Sequence, residues 1–168
     1  MRHALVFGAT GQIGFPLLGL LRGDGWRVTA LSRSEQSDEP GLEWLRGELP
    51  TAQGLPARVD AIFSCGPLDG FASWYAKAPI ETSRVTAFGS TSVDVKRGSA
   101  DAEERDVARR LREGEELVFA TATQRGAAGT LLRPTLIYGA GRDATLTRIA
   151  QLARRWKRFP LPRGANGL

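Results

Sequence analysis

The sequence predicts an α/β protein built on a doubly wound parallel sheet. Short apolar runs alternate with helical patterns along the chain, which is how strands and crossover helices of a parallel sheet read. A stretch with glycine at every third position, Val6-Phe7-Gly8-Ala9-Thr10-Gly11-Gln12-Ile13-Gly14, joins the first apolar run to the first helical pattern. The 168 residues, with 42% apolar and 24% charged side chains, suit one soluble domain with a real core.

Leu5 to Phe7 is a buried-strand run, and a helix is expected from Gln12 with Ile13, Leu17, Leu18 and Leu21 on one face. Gly23 or Gly25 closes it, and Pro16 falls early, where a missing N–H costs least. Trp26 to Leu31 reads as the second strand, Ser32 to Gly41 as a polar loop and Leu42 to Leu45 as a short third strand. Ala61 to Cys65 is the fourth, ended by Gly66-Pro67, with a helix over Phe71 to Ala78 behind it. Arg84 to Gly89 is the fifth strand, Ala102 to Glu116 a charged helix with a narrow apolar stripe, and Gly129 to Leu132 the sixth strand. Thr145 to Trp156 is a last amphipathic helix, and Phe159 to Leu168 is a loop after which more chain would be expected. The expected division is therefore a nucleotide-binding unit at 1–145 and a basic helix and loop at 146–168, the start of a reduced substrate region.

Charge and cysteine content narrow the function classes. Arg148, Arg154, Arg155, Lys157, Arg158 and Arg163 stand in the last 21 residues with no acid among them. Removing those six from the 23 basic residues leaves 17 against 18 acids in positions 1–147, so the net charge of +5 is a C-terminal feature. A nucleic-acid binder would show a basic face more generally, so nucleic acid is disfavoured as a partner. The single cysteine, Cys65, excludes an internal disulfide and fits a cytoplasmic protein. No apolar stretch nears the roughly 20 residues of a membrane span, and the strand-like start leaves no room for a signal peptide. No metal site is expected.

The glycine stretch carries the first chemical signal. A helix N-terminus has unpartnered N–H groups and a dipole that favours an anion. Gly8 permits the tight turn, Gly11 the approach of a pyrophosphate, and Gly14 close packing of helix on strand, the three roles of a dinucleotide fingerprint in a Rossmann-like fold. The spacing is GxxGxxG rather than GxGxxG. The second strand ends Leu31-Ser32-Arg33-Ser34 with no carboxylate before Glu35, so Arg33 can meet a 2′-phosphate and NADP is expected in preference to NAD.

With "DAIFSCG" (60–66), "FGSTSV" (88–93) and "LLRPTLIYG" (131–139), this stretch resembles the short-chain dehydrogenase/reductase superfamily. Within it the chain is most similar to the extended or atypical branch, the NAD-dependent epimerase/dehydratases, from about residue 3 to residue 145. The resemblance implies that Gly8, Thr10, Gly11, Gln12, Ile13 and Gly14 form the pyrophosphate loop and that Arg33 takes the 2′ side. Glu48 and Leu49 match the adenine contact, with Glu48 in place of the usual Asp. Cys65 and Gly66 lie under the nicotinamide ribose, and Pro134 borders the nicotinamide amide.

The catalytic match is incomplete. The family pairs a Ser or Thr after the fifth strand with a Tyr-x-x-x-Lys on the following helix, where the lysine lowers the tyrosine pKa from about 10. Ser90 or Thr91 fits the first role, but Val107 and Leu111 stand where Tyr and Lys belong. The resemblance thus implies an NADP-using oxidoreductase or epimerase-like enzyme acting on a carbonyl or nucleotide-sugar-like small molecule, phosphate-bearing in many relatives, with an atypical or lost proton donor. A non-catalytic NADP-binding redox sensor or scaffold is the alternative, and nucleic-acid binding through the C-terminal basic run the third. Relatives also make a homodimer an expectation, through the helices after strands four and five.

Overall fold

The computed structural model describes residues 1–139, 143 and 146–158. Six strands form one parallel sheet: β1 (His3–Phe7), β2 (Arg27–Ser32), β3 (Leu42–Arg46), β4 (Arg58–Ser64), β5 (Glu81–Phe88) and β6 (Ala128–Leu132). Their order across the sheet is β3-β2-β1-β4-β5-β6. That is the doubly wound dinucleotide-fold order, in which the winding reverses between β1 and β4. All five strand pairs are parallel, and Ser64 at the end of β4 lies opposite Ala87 of β5.

The helices are α1 (Gly14–Gly23), α2 (Leu68–Lys77), α3 (Ser92–Val95), α4 (Ala102–Gln124) and α5 (Leu146–Trp156). β4, β5 and α2 each start three residues earlier than the sequence reading has them, and three further differences concern the helices. First, α1 starts at Gly14 rather than Gln12, because Gly11 to Ile13 are used in the turn that leads into it. Second, α4 continues past Glu116 to Gln124, its later turns burying Val118, Thr121 and Ala122. The charged first half masks that buried stripe in the sequence. Third, α3 is a single turn that the apolar pattern is too short to announce. The expected C-terminal loop, Phe159 to Leu168, lies outside the described residues.

Two cores lie on the two faces of the sheet. On one, α2 packs Phe71, Trp74 and Tyr75 against Phe7, with ring centroids 5.5 Å apart for Phe7–Phe71 and 4.6 Å for Phe7–Trp74. Phe71 and Tyr75 stack at 5.7 Å, and α4 adds Val118 and Ala122. On the other face, α1 lays Leu18 and Leu21 over Ala4, Val6, Val28, Ala30 and Leu42. Strands buried on both faces explain why β1 and β2 read as continuous apolar runs instead of alternating ones.

The Tyr75 hydroxyl is buried with no hydrogen-bond partner, while Arg125 lies 4.8 Å from the ring centroid. A buried hydroxyl without a partner costs free energy. Tyr75→Phe is therefore expected to raise the unfolding free energy by about 1 kcal/mol in denaturant titration. A loss of that size instead would show that the hydroxyl is hydrogen-bonded in solution.

Candidate functional site

The turn after β1 is fixed by contact. Gly8 has φ +68°, and a Cβ there would lie 2.6 Å from the Cys65 carbonyl carbon and 2.7 Å from the Gly66 nitrogen. A Cβ on Gly14 would lie 2.2 Å from the Gly8 carbonyl oxygen and 2.6 Å from the Ala9 Cα. Both positions exclude any side chain. Gly11 differs: its Cβ would meet only the Gly8 oxygen, at 3.1 Å, and otherwise projects into open space. Two glycines thus serve the fold, and Gly11 keeps a surface clear.

That surface belongs to a cleft of about 700 Å³ above the carboxyl ends of β1 to β4, within the range of small-molecule sites. Gly8, Thr10 and Gly11 line it from β1, Leu31 and Arg33 from β2, Gly47 to Pro50 from β3, and Cys65 to Pro67 from β4. It occupies the point where the sheet's winding reverses, the ligand crevice of open α/β sheets. Among the sequence-predicted cofactor residues, Gly8, Thr10, Gly11, Arg33, Glu48, Leu49, Cys65 and Gly66 are brought together here. Gln12 and Ile13 sit at the start of α1, and Gly14 packs beneath the turn. Asp69, Gly70 and Ser73 of α2 also line the cleft; no motif marks them in the sequence.

The cleft suits a dinucleotide. Ile13 precedes α1 with no side-chain cap, and no acid stands in the first helical turn, so nothing opposes an anion at that end. Arg33 makes no ion pair among the described residues. Burial pushes the Cys65 thiol up to about 12, which makes it a neutral lining group at physiological pH.

The other candidates sit one strand further on. Ser90 follows β5, donating to Ser92 Oγ and accepting from the Ser92 N–H, both at 3.1 Å. The Thr91 N–H donates to the Pro134 carbonyl at 3.4 Å, and Gly89 N–H to Leu132 at 2.8 Å, so the exits of β5 and β6 are stitched together. On α4, Val107 and Leu111 are half-buried, and Leu111 packs on the core. Neither bears a titratable group.

One turn further along, Glu115 is buried at 4% exposure and paired through both oxygens with Arg133, which also reaches Asp94 at 3.1 Å. The sequence reading missed this pair, although Arg133 lies in a quoted motif and Glu115 in the predicted charged helix. His3 is remote, at the amino end of β1, with Nε2 2.9 Å from Thr29 Oγ1 and its pKa lowered chiefly by burial. Arg109 and Arg110 form i,i+4 pairs with Glu113 and Asp106 on the exposed face of α4. No residue of α5 is buried, so its basic side chains face solvent among the described residues.

No family model matches the chain, and no curated protein does. Solved structures do. TunA, an NAD-dependent NDP-hexosamine 5,6-dehydratase involved in tunicamycin biosynthesis, superposes with a TM-score of 0.73 at 17% identity, over 98% of this chain and 65% of that one. MoeE5 in complex with UDP-glucuronic acid and NAD gives 0.66 at 21%, over 89% and 60%. UDP-glucuronic acid 4-epimerase from Bacillus cereus in complex with NAD gives 0.65 at 13%, over 94% and 64%. The fold is theirs. The likeness to the epimerase/dehydratase branch read from the sequence is borne out in the fold, and the chain spans 60–65% of the length of these three proteins.

Gly8→Ala and Gly14→Ala are each expected to lose on the order of 3 kcal/mol of stability, as overpacking against rigid backbone does. Gly11→Ala is expected to stay within about 1 kcal/mol of the parent while losing dinucleotide affinity at least tenfold, checked by denaturant unfolding and calorimetry. Cys65 should react with iodoacetamide at neutral pH at least about a hundredfold more slowly than free cysteine, since so little thiolate is present. Reaction as fast as free cysteine would mean that the thiol is not desolvated.

Proposed function

We propose that this chain is the nucleotide-binding portion of a nicotinamide-dependent enzyme of the epimerase/dehydratase type. It acts on a carbonyl or nucleotide-sugar-like substrate and prefers NADP to NAD. The observation that carries the reading is the convergence of Gly11, Arg33, Glu48 and Cys65 on one cleft at the reversal of the sheet. Solved proteins of the same fold that hold UDP-glucose or UDP-glucuronic acid together with NAD support the substrate class.

In this reading Gly8, Thr10 and Gly11 receive the pyrophosphate against the start of α1, and Arg33 pairs with the 2′-phosphate. Glu48 and Leu49 flank the adenine, Cys65 and Gly66 lie under the nicotinamide ribose, and Pro134 borders the amide. When bound, the nicotinamide accepts or donates a hydride. Ser90, next to the nicotinamide end, orients the substrate oxygen.

The apolar Val107 and Leu111 favour a second reading, a redox sensor or scaffold that binds the dinucleotide without turnover. The two readings share the cofactor and divide on whether any substrate is converted.

NADPH is expected to bind about tenfold more tightly than NADH in calorimetric titration, and Arg33→Ala to remove that difference by weakening NADPH alone. Tighter NADH binding would overturn the NADP preference, and binding of neither would overturn the cofactor reading.

A further inference from the structure

Among the described residues, every helix longer than a single turn buries an apolar face except the last. α1, α2 and α4 pack theirs into the two cores, but no residue of α5 is buried. Ile149, Leu152 and Trp156 stay 36%, 37% and 58% exposed. The pattern that would bury a face is nonetheless present, and α5 is the most strongly amphipathic of these four helices. At about 100° per residue, Leu146, Ile149, Leu152, Ala153 and Trp156 fall on one arc of roughly 120°. Arg148, Arg154 and Arg155 fall on the opposite side.

Local contacts favour the helical form. The Asp143 carboxylate accepts from the Thr147 N–H at 2.8 Å and from the Thr147 hydroxyl. Arg154 and Arg155 occupy the last turn, so both ends suit the helix dipole. Eleven residues are still marginal as a helix in water without a face to pack, so α5 requires a partner. Charge says which kind. Arg148, Arg154, Arg155, Lys157 and Arg158 stand between positions 146 and 158 with no acid among them. None of the five forms an ion pair among the described residues. A nucleic-acid strand would be met by cations and aromatic rings on one face, whereas Trp156 shares its arc with Ile149 and Leu152, opposite the arginines. A second copy would set one uncompensated basic helix beside another. An anionic lipid surface satisfies both arcs at once.

We propose that α5 docks this domain on anionic lipid bilayers, lying in the plane of the surface. Ile149, Leu152 and Trp156 enter the boundary between headgroups and acyl chains, and the cations meet lipid phosphate and carboxylate groups. The arginine stems lie along the apolar boundary while their guanidinium groups stay at headgroup level. Contact is peripheral: α5 is roughly 16 Å long, about half the thickness of the hydrocarbon core, and no described helix is long and apolar enough to cross a membrane. None of these residues lines the cleft, so docking leaves the dinucleotide site free, and the inference stands apart from the cofactor reading.

Flotation of the chain with lipid vesicles tests this. Vesicles of phosphatidylcholine alone are compared with vesicles of phosphatidylcholine and phosphatidylserine in a two-to-one ratio. Binding is expected to be at least about tenfold tighter to the mixed vesicles and to weaken as salt is raised. Arg154→Gln with Arg155→Gln should weaken it about twenty-five-fold, about fivefold for each cation. Leu152→Gln should weaken it at least about tenfold with the charge unchanged. All three residues are exposed, so the variants should keep the parent's denaturant unfolding curve. With the acyl chains brominated, the parent's tryptophan fluorescence should be quenched on binding, and Trp156→Phe should abolish that quenching, since Trp26, Trp44 and Trp74 belong to the two cores. No preference for the mixed vesicles would overturn the proposal. So would binding that Leu152→Gln leaves intact, or quenching that survives Trp156→Phe. Failure to float together with Leu152-dependent dimerisation in sedimentation velocity would overturn it in favour of a second copy. Failure to float together with arginine-dependent binding of a single-stranded oligonucleotide would overturn it in favour of nucleic acid.

Discussion

The structure turns on one steric constraint, the contact of three backbone segments at the head of β1. Gly8 lies against the Cys65–Gly66 peptide, and Gly14 lies against Gly8 and Ala9. With no Cβ in either gap, β1 and β4 can carry their ends side by side into the turn, and α1 can start directly behind it. The angle at which α1 leaves decides whether Leu18 and Leu21 reach Val6 and Val28, so the second core depends on the same contact. The cleft depends on it too, because the space above the sheet is what remains when the turn is held this low.

The cleft wall carries charges of both signs, Arg33 with Glu48 on one side and Asp69 on the other. At the β2 side, Arg33 and the uncapped start of α1 present positive potential to an anion. At the β4 side Cys65, held as a thiol, and Gly66 and Pro67 line the cleft, with the Asp69 carboxylate, paired with Arg110, on the α2 wall. The surface basicity of α5 plays no part in the cleft, since none of its residues lines it.

Legibility in the sequence followed the range of the interaction. The glycine turn, the six strands and Arg33 at the end of β2 are local: each is set by neighbours within a few residues, and each could be read from composition and spacing. The second half of α4 was hidden because its stripe of Val118, Thr121 and Ala122 is built partly of small and polar residues that become core only when α4 packs on α2 and β6. The Lys96–Glu104 ion pair likewise joins residues eight apart across a turn, with Ser99 completing the link. The Glu115–Arg133 pair joins residues 18 apart on two elements, which no periodicity announces.

That pair accounts for the form of the corner beyond β5 and β6. A buried ion pair contributes little net stability, because desolvation offsets much of the attraction, so what it supplies is position. Here the position is specific. A Cβ on Gly89 would lie 2.8 Å from Glu115 Oε1, so glycine at the exit of β5 and the carboxylate on α4 fit each other. Arg133, at the exit of β6, grips that carboxylate and reaches Asp94 on α3. Three elements that share no local sequence, α3, α4 and the exit of β6, are thereby tied together through Asp94, Glu115 and Arg133. α4 thus anchors this corner at two points, Glu115 to Arg133 and Glu104 to Lys96.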